Sequence, residues 1–191
     1  MTHDFSFLDR RPIVVALAGA NGSGKTTFYH VHLADSGLHF VNADVLADEL
    51  ELTAYEAADA ASAVRDALLA RNESFIFETV LSDPVGDKVA QLATLAEAGY
   101  EVVLVFIQIP NVETSIDRVS MRVSQGGHDV PDEKLITRFE RIQANLRRAI
   151  EQLPRVMIFD NSDLMHPYRH VATYHHGKLA KGEGDSPAAN G

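Results

Sequence analysis

The sequence predicts an α/β fold of the P-loop NTPase type, a five-stranded parallel sheet with helices on both faces. Three observations predict it. Five short apolar runs alternate with helical patterns, and polar residues gather just beyond the carboxyl ends of those runs. The first run leads directly into Gly19-Ala20-Asn21-Gly22-Ser23-Gly24-Lys25-Thr26-Thr27, which fits the phosphate-cradling pattern G-x-x-x-x-G-K-[ST].

In chain order, residues 1–10 read as a lead-in whose Phe5, Phe7 and Leu8 pack on the domain edge. Residues 12–18 form the first strand, and residues 24–34 a helix carrying Phe28, Val31 and Leu33 inward. Gly37 breaks the chain before a short strand at 38–41, and residues 43–50 are helical. Thr53 with Glu56 three residues on is a capping box; the helix it opens repeats Ala57, Ala61, Val64 and Leu68 on one face. Residues 74–77 form the third strand. Pro84 opens a helix that Gly99 closes. The run 101–109 is the most apolar strand, stopped by Pro110. A helix at 112–123, a glycine-containing loop through Pro131 and a long helix at 132–152 lead to the fifth strand at 156–159. Residues 168–174 add a small strand that turns near Gly177. The domain thus covers residues 1–178, and the polar, small-residue composition of 179–191 predicts a disordered tail.

The 191 residues suffice for one domain with a substantial core, and 46% hydrophobic with 23% charged residues is an ordinary globular balance. No apolar run approaches the roughly 20 residues that span a bilayer, and the first residues lack a basic, then apolar, secretory pattern. Cysteine is absent, which excludes disulfides and thiolate metal sites and suits a cytoplasmic location. A net charge of −10 argues against a nucleic-acid surface, which needs lysines and arginines to displace counterions.

In a parallel sheet, ligands sit beyond the carboxyl ends of the strands. The P-loop, Asn42 with Asp44, Glu78 with Thr79, and Asp160-Asn161-Ser162 all fall there, so four segments converge on one crevice. In the P-loop pattern, backbone amides of Gly19 to Thr27 cradle phosphates, Lys25 reaches the β- and γ-phosphates, and the Thr26 hydroxyl holds Mg²⁺. ATP and Mg²⁺ are the implied cofactors. A hydroxyl acceptor needs a carboxylate to orient it and take its proton, and Asp44 is the candidate; a helix N-cap or first-turn acid is its alternative reading. Glu78 ends an apolar strand, where it either reaches Mg²⁺ and substrate or forms a salt bridge at the rim. Arg118 and Arg122 share one helix face beside the glycine-containing loop, the placement of a lid that brings positive charge to a transferring phosphoryl group; a solvated basic face is the plainer reading. Arg138 and Arg141 are weaker candidates for contact with substrate, and His128 in the loop a weaker one still. The remaining histidines make no metal set.

Gly22-Ser23-Gly24-Lys25-Thr26, Asn42-Ala43-Asp44, Phe77-Glu78-Thr79-Val80-Leu81-Ser82 and Ala98-Gly99-Tyr100-Glu101-Val102 together resemble the zeta-toxin family of P-loop kinases. The run from Arg118 through Ser124-Gln125-Gly126-Gly127-His128-Asp129-Val130-Pro131 resembles the lid of its short bacterial members, and Asn145-Leu146 and Asp160-Asn161-Ser162 continue the likeness, over roughly residues 12–162. The resemblance implies that Lys25 and the loop amides bind ATP phosphates, that Thr26 binds Mg²⁺, and that Asp44 is the catalytic base. It also implies a lid arginine at Arg122 and, at altered spacing, at Arg118, and it matches Glu78 to an acid at the end of the third strand; Asn42, Glu78, Thr79 and Arg138 are the candidates for substrate binding. Larger zeta toxins phosphorylate the sugar of UDP-N-acetylglucosamine and are restrained by an epsilon antitoxin; this chain is shorter and lacks much of the sugar-binding insertion. The expectation is an ATP-dependent small-molecule kinase, with an antitoxin-like protein as a further partner. Two other readings stand beside it: a gluconate, shikimate or antibiotic type of kinase, and a nucleotide-dependent regulatory or toxin module without small-molecule phosphotransfer. A GTPase is disfavoured: Asp83-Pro84-Val85-Gly86 fits D-x-x-G, but no N-K-x-D guanine motif occurs.

Overall fold

A computed structural model describes residues 5–124 and 130–182. After a 3₁₀ turn at Ser6–Asp9, β1 (Ile13–Ala18) runs into the P-loop and α1 (Lys25–Phe28). The order continues β2 (His39–Val41), α2 (Ala43–Leu50), α3 (Ala54–Ala70), β3 (Phe75–Thr79), α4 (Asp87–Glu97), β4 (Glu101–Gln108), α5 (Val112–Ser124), α6 (Asp132–Gln152), β5 (Arg155–Asp160), β6 (Arg169–His175) and β7 (Lys178–Gly182). The sheet order is β2-β3-β1-β4-β5-β6-β7.

The first five strands are parallel, as expected from their continuous apolar runs. The expectation of five strands in a parallel sheet is corrected to seven in a mixed one. β6 pairs antiparallel with β5, and β7 antiparallel with β6. The hairpin is closed by His176 and Gly177, both with positive φ (47° and 77°), the backbone twist that two-residue hairpin turns require. Residues 179–182, expected in the tail, belong to this strand. Ladder hydrogen bonds to β6 hold them, and Leu179 with Ala180 is too short an apolar run to stand out in a stretch of small and polar residues. Residues 183–191 lie outside the described residues.

Two apolar layers sandwich the sheet. Val14, Ala16, Val102, Leu104 and Phe106 face Ala61, Val89, Leu92, Ile142 and Leu146 of α3, α4 and α6. Val15, Leu17, Val103, Val105 and Ile107 face Phe7, Phe28, Leu33 and Tyr168. Phe7 is thus fully buried in the core and not at its edge. The capping box forms: Thr53 Oγ1 accepts from the Glu56 N–H, while Glu56 accepts from the Thr53 N–H at 2.9 Å.

Three details depart from the sequence reading. The first helix is α-helical for one turn only and continues as a π-turn at Tyr29–Leu33. The wider turn places Leu33 with Phe28 in the core and leaves Val31 exposed. Val64 of α3 is also exposed, although Ala61 and Leu68 on either side of it are buried. α4 begins at Asp87 and not at Pro84, since Gly86 has a φ of 88°, which a helix interior does not accept.

Leu104 sits at the middle of the central strand with no exposure. Leu104→Ala is expected to cost about 2–5 kcal/mol, read as a lower urea midpoint at an unchanged slope. A loss below about 1 kcal/mol would show that the two layers do not close on β4.

Candidate functional site

The P-loop is shaped by its surroundings as much as by its glycines. A Cβ on Gly19 would lie 2.4 Å from the Ile107 carbonyl oxygen, and one on Gly24 would lie 2.7 Å from Asn161 Nδ2 and 2.8 Å from the Tyr168 hydroxyl. The backbone approach excludes a side chain at Gly19, and at Gly24 one would have to displace the Asn161 and Tyr168 side chains and adopt a φ of 94°. Every carbonyl from Gly19 to Gly24 accepts a hydrogen bond from within the protein. Lys25 Nζ donates to Gly19 O at 3.2 Å and Ala20 O at 3.0 Å. The Ser115 hydroxyl donates to Asn21 O at 2.7 Å, and Arg118 Nη1 to Gly22 O at 3.4 Å. Asn161 Nδ2 donates to Ser23 O at 2.8 Å, and the Tyr168 hydroxyl to Gly24 O at 2.9 Å. With the carbonyls drawn back into the fold, the amides at the start of α1, which have no partner within the helix, face outward as an anion site.

Around the open end of the loop, β2 and β3 deliver the acids. Asn42 is buried and caps α2, its Oδ1 accepting from the Asp44 N–H at 2.7 Å and the Val45 N–H at 3.4 Å. Asn42 therefore does the capping, and the Asp44 carboxylate, 71% exposed, faces the crevice, where Arg122 Nη1 stands 3.7 Å from it. Lys25 is buried. Desolvation lowers its pKa, while the charges of Glu78 and Asp44 raise it and that of Arg122 lowers it. Burial pushes the Glu78 carboxyl up, Lys25 and the Thr26 hydroxyl pull it back, Asp44 adds to the rise and Asn42 opposes it. Glu78 Oε1 and Asn42 Nδ2 are nonetheless buried without a partner in hydrogen-bond geometry. The donor set suits Mg²⁺: a Thr26 hydroxyl on the first helical turn and an acid beside it whose buried oxygen lacks a partner. Among the described residues no group of three or more His, Asp or Glu forms a metal cage by itself.

The structure thus brings together Lys25, Thr26, Asn42, Asp44, Glu78 and Arg122. Arg118 is turned back onto the loop, its Nη2 donating to Asn161 O at 2.9 Å. The Thr79 hydroxyl accepts from the Leu81 N–H and from Lys88 Nζ, both at 3.1 Å. Arg138 Nη1 donates to Asn21 Oδ1 at 3.4 Å. The stretch 125–129 of the expected lid, with His128, lies outside the described residues. Sequence reasoning missed Ser115, which shares the α5 face of Arg118 three residues on, and Tyr168, whose role has no sequence signal. It also missed Arg65 of α3 and Lys88 of α4. They line a groove of about 470 Å³ that is floored by Phe75 and Phe77 and reaches Glu78. A second depression of about 480 Å³, by Arg11, Pro12 and His39, lies at the opposite end of the strands.

The family model described as zeta toxin matches residues 39–171. No curated protein matches the chain. Among solved structures, the AvrRxo1-ORF1:-ORF2 assembly with ATP superposes with a TM-score of 0.69 at 20% identity, covering 89% of this chain and 60% of that one. The PezAT chromosomal toxin–antitoxin system of Streptococcus pneumoniae gives 0.60 at 20% identity, covering 79% and 69%. A candidate kinase from Chloroflexus aurantiacus gives 0.54 at 18%, covering 80% and 90%. At these identities the likeness is one of fold. The chain spans only about 60% of the length of the AvrRxo1-ORF1 structures it matches. Among the described residues, no helix is long and apolar enough to cross a membrane.

The raised Glu78 pKa makes a signed prediction. The folded chain holds the Glu78 proton more tightly than the unfolded chain, so its stability falls as pH rises from the ordinary carboxylate value of about 4.3 through the folded value. Glu78→Gln should therefore be more stable than the native chain at neutral pH and lose that advantage as pH drops toward 4. Urea midpoints across the pH range test it; an advantage independent of pH would assign the effect to packing.

Proposed function

The chain belongs to the zeta toxin family, and we propose that it is an ATP-dependent kinase that transfers the γ-phosphate to a hydroxyl of a small molecule. The observation that carries this reading is the meeting of Asp44, Glu78 and Arg122 at the open end of a P-loop whose Lys25 is buried and whose carbonyls are all engaged. A nucleotide switch needs the loop; it does not need an exposed acid and an arginine facing each other across the place where a γ-phosphate would end. The ATP named in the AvrRxo1-ORF1:-ORF2 structure supports the same donor here.

In this mechanism Asp44 accepts the proton of the acceptor hydroxyl as its oxygen bonds to phosphorus and the bond to the bridging oxygen of the leaving ADP breaks. Lys25 leaves its loop carbonyls for the phosphates, and Arg122 leaves Asp44 for the equatorial oxygens, where developing charge is stabilised by fixed cations. Arg118 keeps the loop in shape through Gly22 and Asn161, and Arg138 steadies Asn21. Mg²⁺, held by Thr26 and through water by Glu78, would neutralise the phosphate charge. Asn42 and Thr79 flank the acceptor side. A nucleotide sugar such as UDP-N-acetylglucosamine is an acceptor of the right kind. The PezAT likeness supports an antitoxin-like protein as partner and keeps a toxin without phosphotransfer as the second reading.

Asp44→Asn should lower turnover by about 10²–10⁴-fold and leave ATP affinity within roughly twofold, measured by γ-phosphate transfer across a panel of sugars and nucleotide sugars and by nucleotide titration. Unchanged turnover would remove Asp44 from the reaction. Induced expression separates the readings further. Growth arrest by the native chain that Asp44→Asn abolishes supports a toxic kinase, whereas arrest that persists in the variant would favour a toxin acting without phosphotransfer.

A further inference from the structure

The groove between α3 and α4 holds charge that the kinase reading leaves unused. Arg65, from the α3 wall, lies over the Phe77 ring with its guanidinium carbon 5.2 Å from the centroid. Lys88, from the α4 wall, is exposed along its stem but turns its ammonium inward onto the Thr79 hydroxyl. Burial lowers the pKa of both. The positive charges of Arg65 and Arg138 press Lys88 down further, while Asp83 opposes them, as Asp66 does for Arg65. Among the described residues no carboxylate forms an ion pair with Arg65, Lys88 or Arg138. In a chain with net charge −10, acids were plentiful, yet Asp66 and Asp83 act on Arg65 and Lys88 without forming an ion pair, which leaves the cluster able to take an anion from outside the chain. The same groove reaches Glu78, whose Oε1 is buried and without a partner.

We propose that this groove is the acceptor's second subsite, in which Arg65 and Lys88 clamp an anionic group, phosphate or carboxylate, while Phe77 and Leu92 bed the carbon frame between it and the reacting hydroxyl. The assignment of that ligand as the acceptor rests on the kinase reading; the anion site itself does not. An acceptor that enters by the groove passes Glu78 and presents its hydroxyl beside Lys25 and Asp44. Neutral sugars lack the group that Arg65 and Lys88 select. The site thereby restricts the acceptor to phosphorylated or carboxylated hydroxyl compounds.

The test uses the full chain saturated with Mg²⁺ and a non-hydrolysable ATP analogue, which fills the P-loop. Pyrophosphate and malonate are then titrated by calorimetry, one probe for each anion chemistry. Binding of either is expected, weakened about tenfold by Arg65→Gln and by Lys88→Gln, and retained by Lys88→Arg. Lys88→Gln should leave the melting temperature unchanged or raised, because it removes repulsion. No binding of either anion, equal binding by Lys88→Gln and the native chain, or a melting temperature that falls with Lys88→Gln while binding holds, would overturn the proposal. Failure of the native chain to bind the ATP analogue would sink the kinase reading alone. The native chain and Lys88→Gln would then be compared without nucleotide, and the same outcomes decide.

Discussion

The shape of the P-loop depends on six consecutive carbonyl oxygens, Gly19 to Gly24, each finding a donor within the fold. A P-loop amide can face a phosphate only if the carbonyl of the same or the preceding unit faces elsewhere, and in water carbonyls have no reason to choose a direction. Here Ser115 and Arg118 from α5, Asn161 after β5 and Tyr168 before β6 each take one of them, and Lys25 takes two. Each such bond contributes about 0.5–1.5 kcal/mol, yet an oxygen left without a partner in the same place would cost more. The glycines make the curve possible; the ties select it. Lys25 differs from the other donors, because a phosphate gives its ammonium a better partner than two neutral oxygens.

Electrostatics divides the molecule sharply. The chain as a whole is acidic, but Lys25, Arg122, Arg138, Lys88 and Arg65 follow one another from the P-loop into the α3–α4 groove. Low local dielectric strengthens the field of such a row, and the surrounding negative charge confines it. Glu78 sits at the junction, the buried acid that keeps the row from being a single undivided patch.

Much of this was legible in the sequence, for a physical reason. Strands buried on both faces must be continuously apolar, so β1 and β3 to β5 show plainly, and a polar residue at the carboxyl end of such a run has little purpose except at the crevice. Asp44 and Glu78 were placed at the crevice that way, and Lys25 by the P-loop pattern. Arg122 was found from its spacing to Arg118 and its place before the glycine-containing loop. What failed to show obeyed other rules. The strand at 168–174 and its turn near Gly177 were legible, but β7 is held mainly by ladder bonds to β6 and carries only Leu179 and Ala180 as apolar side chains. The π-turn after Phe28 shifts the inward face by a residue, so counting by helical period pointed Val31 the wrong way. Tyr168, Arg65 and Lys88 act on segments far from them in the chain, and nothing local marks a tyrosine as a donor to a loop 144 positions earlier.

That separation bears on how the site comes into being. The loop itself is made before β3 and β4 emerge to pair with β1 on either side. Tyr168 arrives 144 positions after the Gly24 whose carbonyl it holds. A nascent chain therefore carries the phosphate motif long before it carries the phosphate site. The last of the loop's ties can form only after β1 to β5 have all been made. Topology thus sets the order in which the supports of the loop assemble.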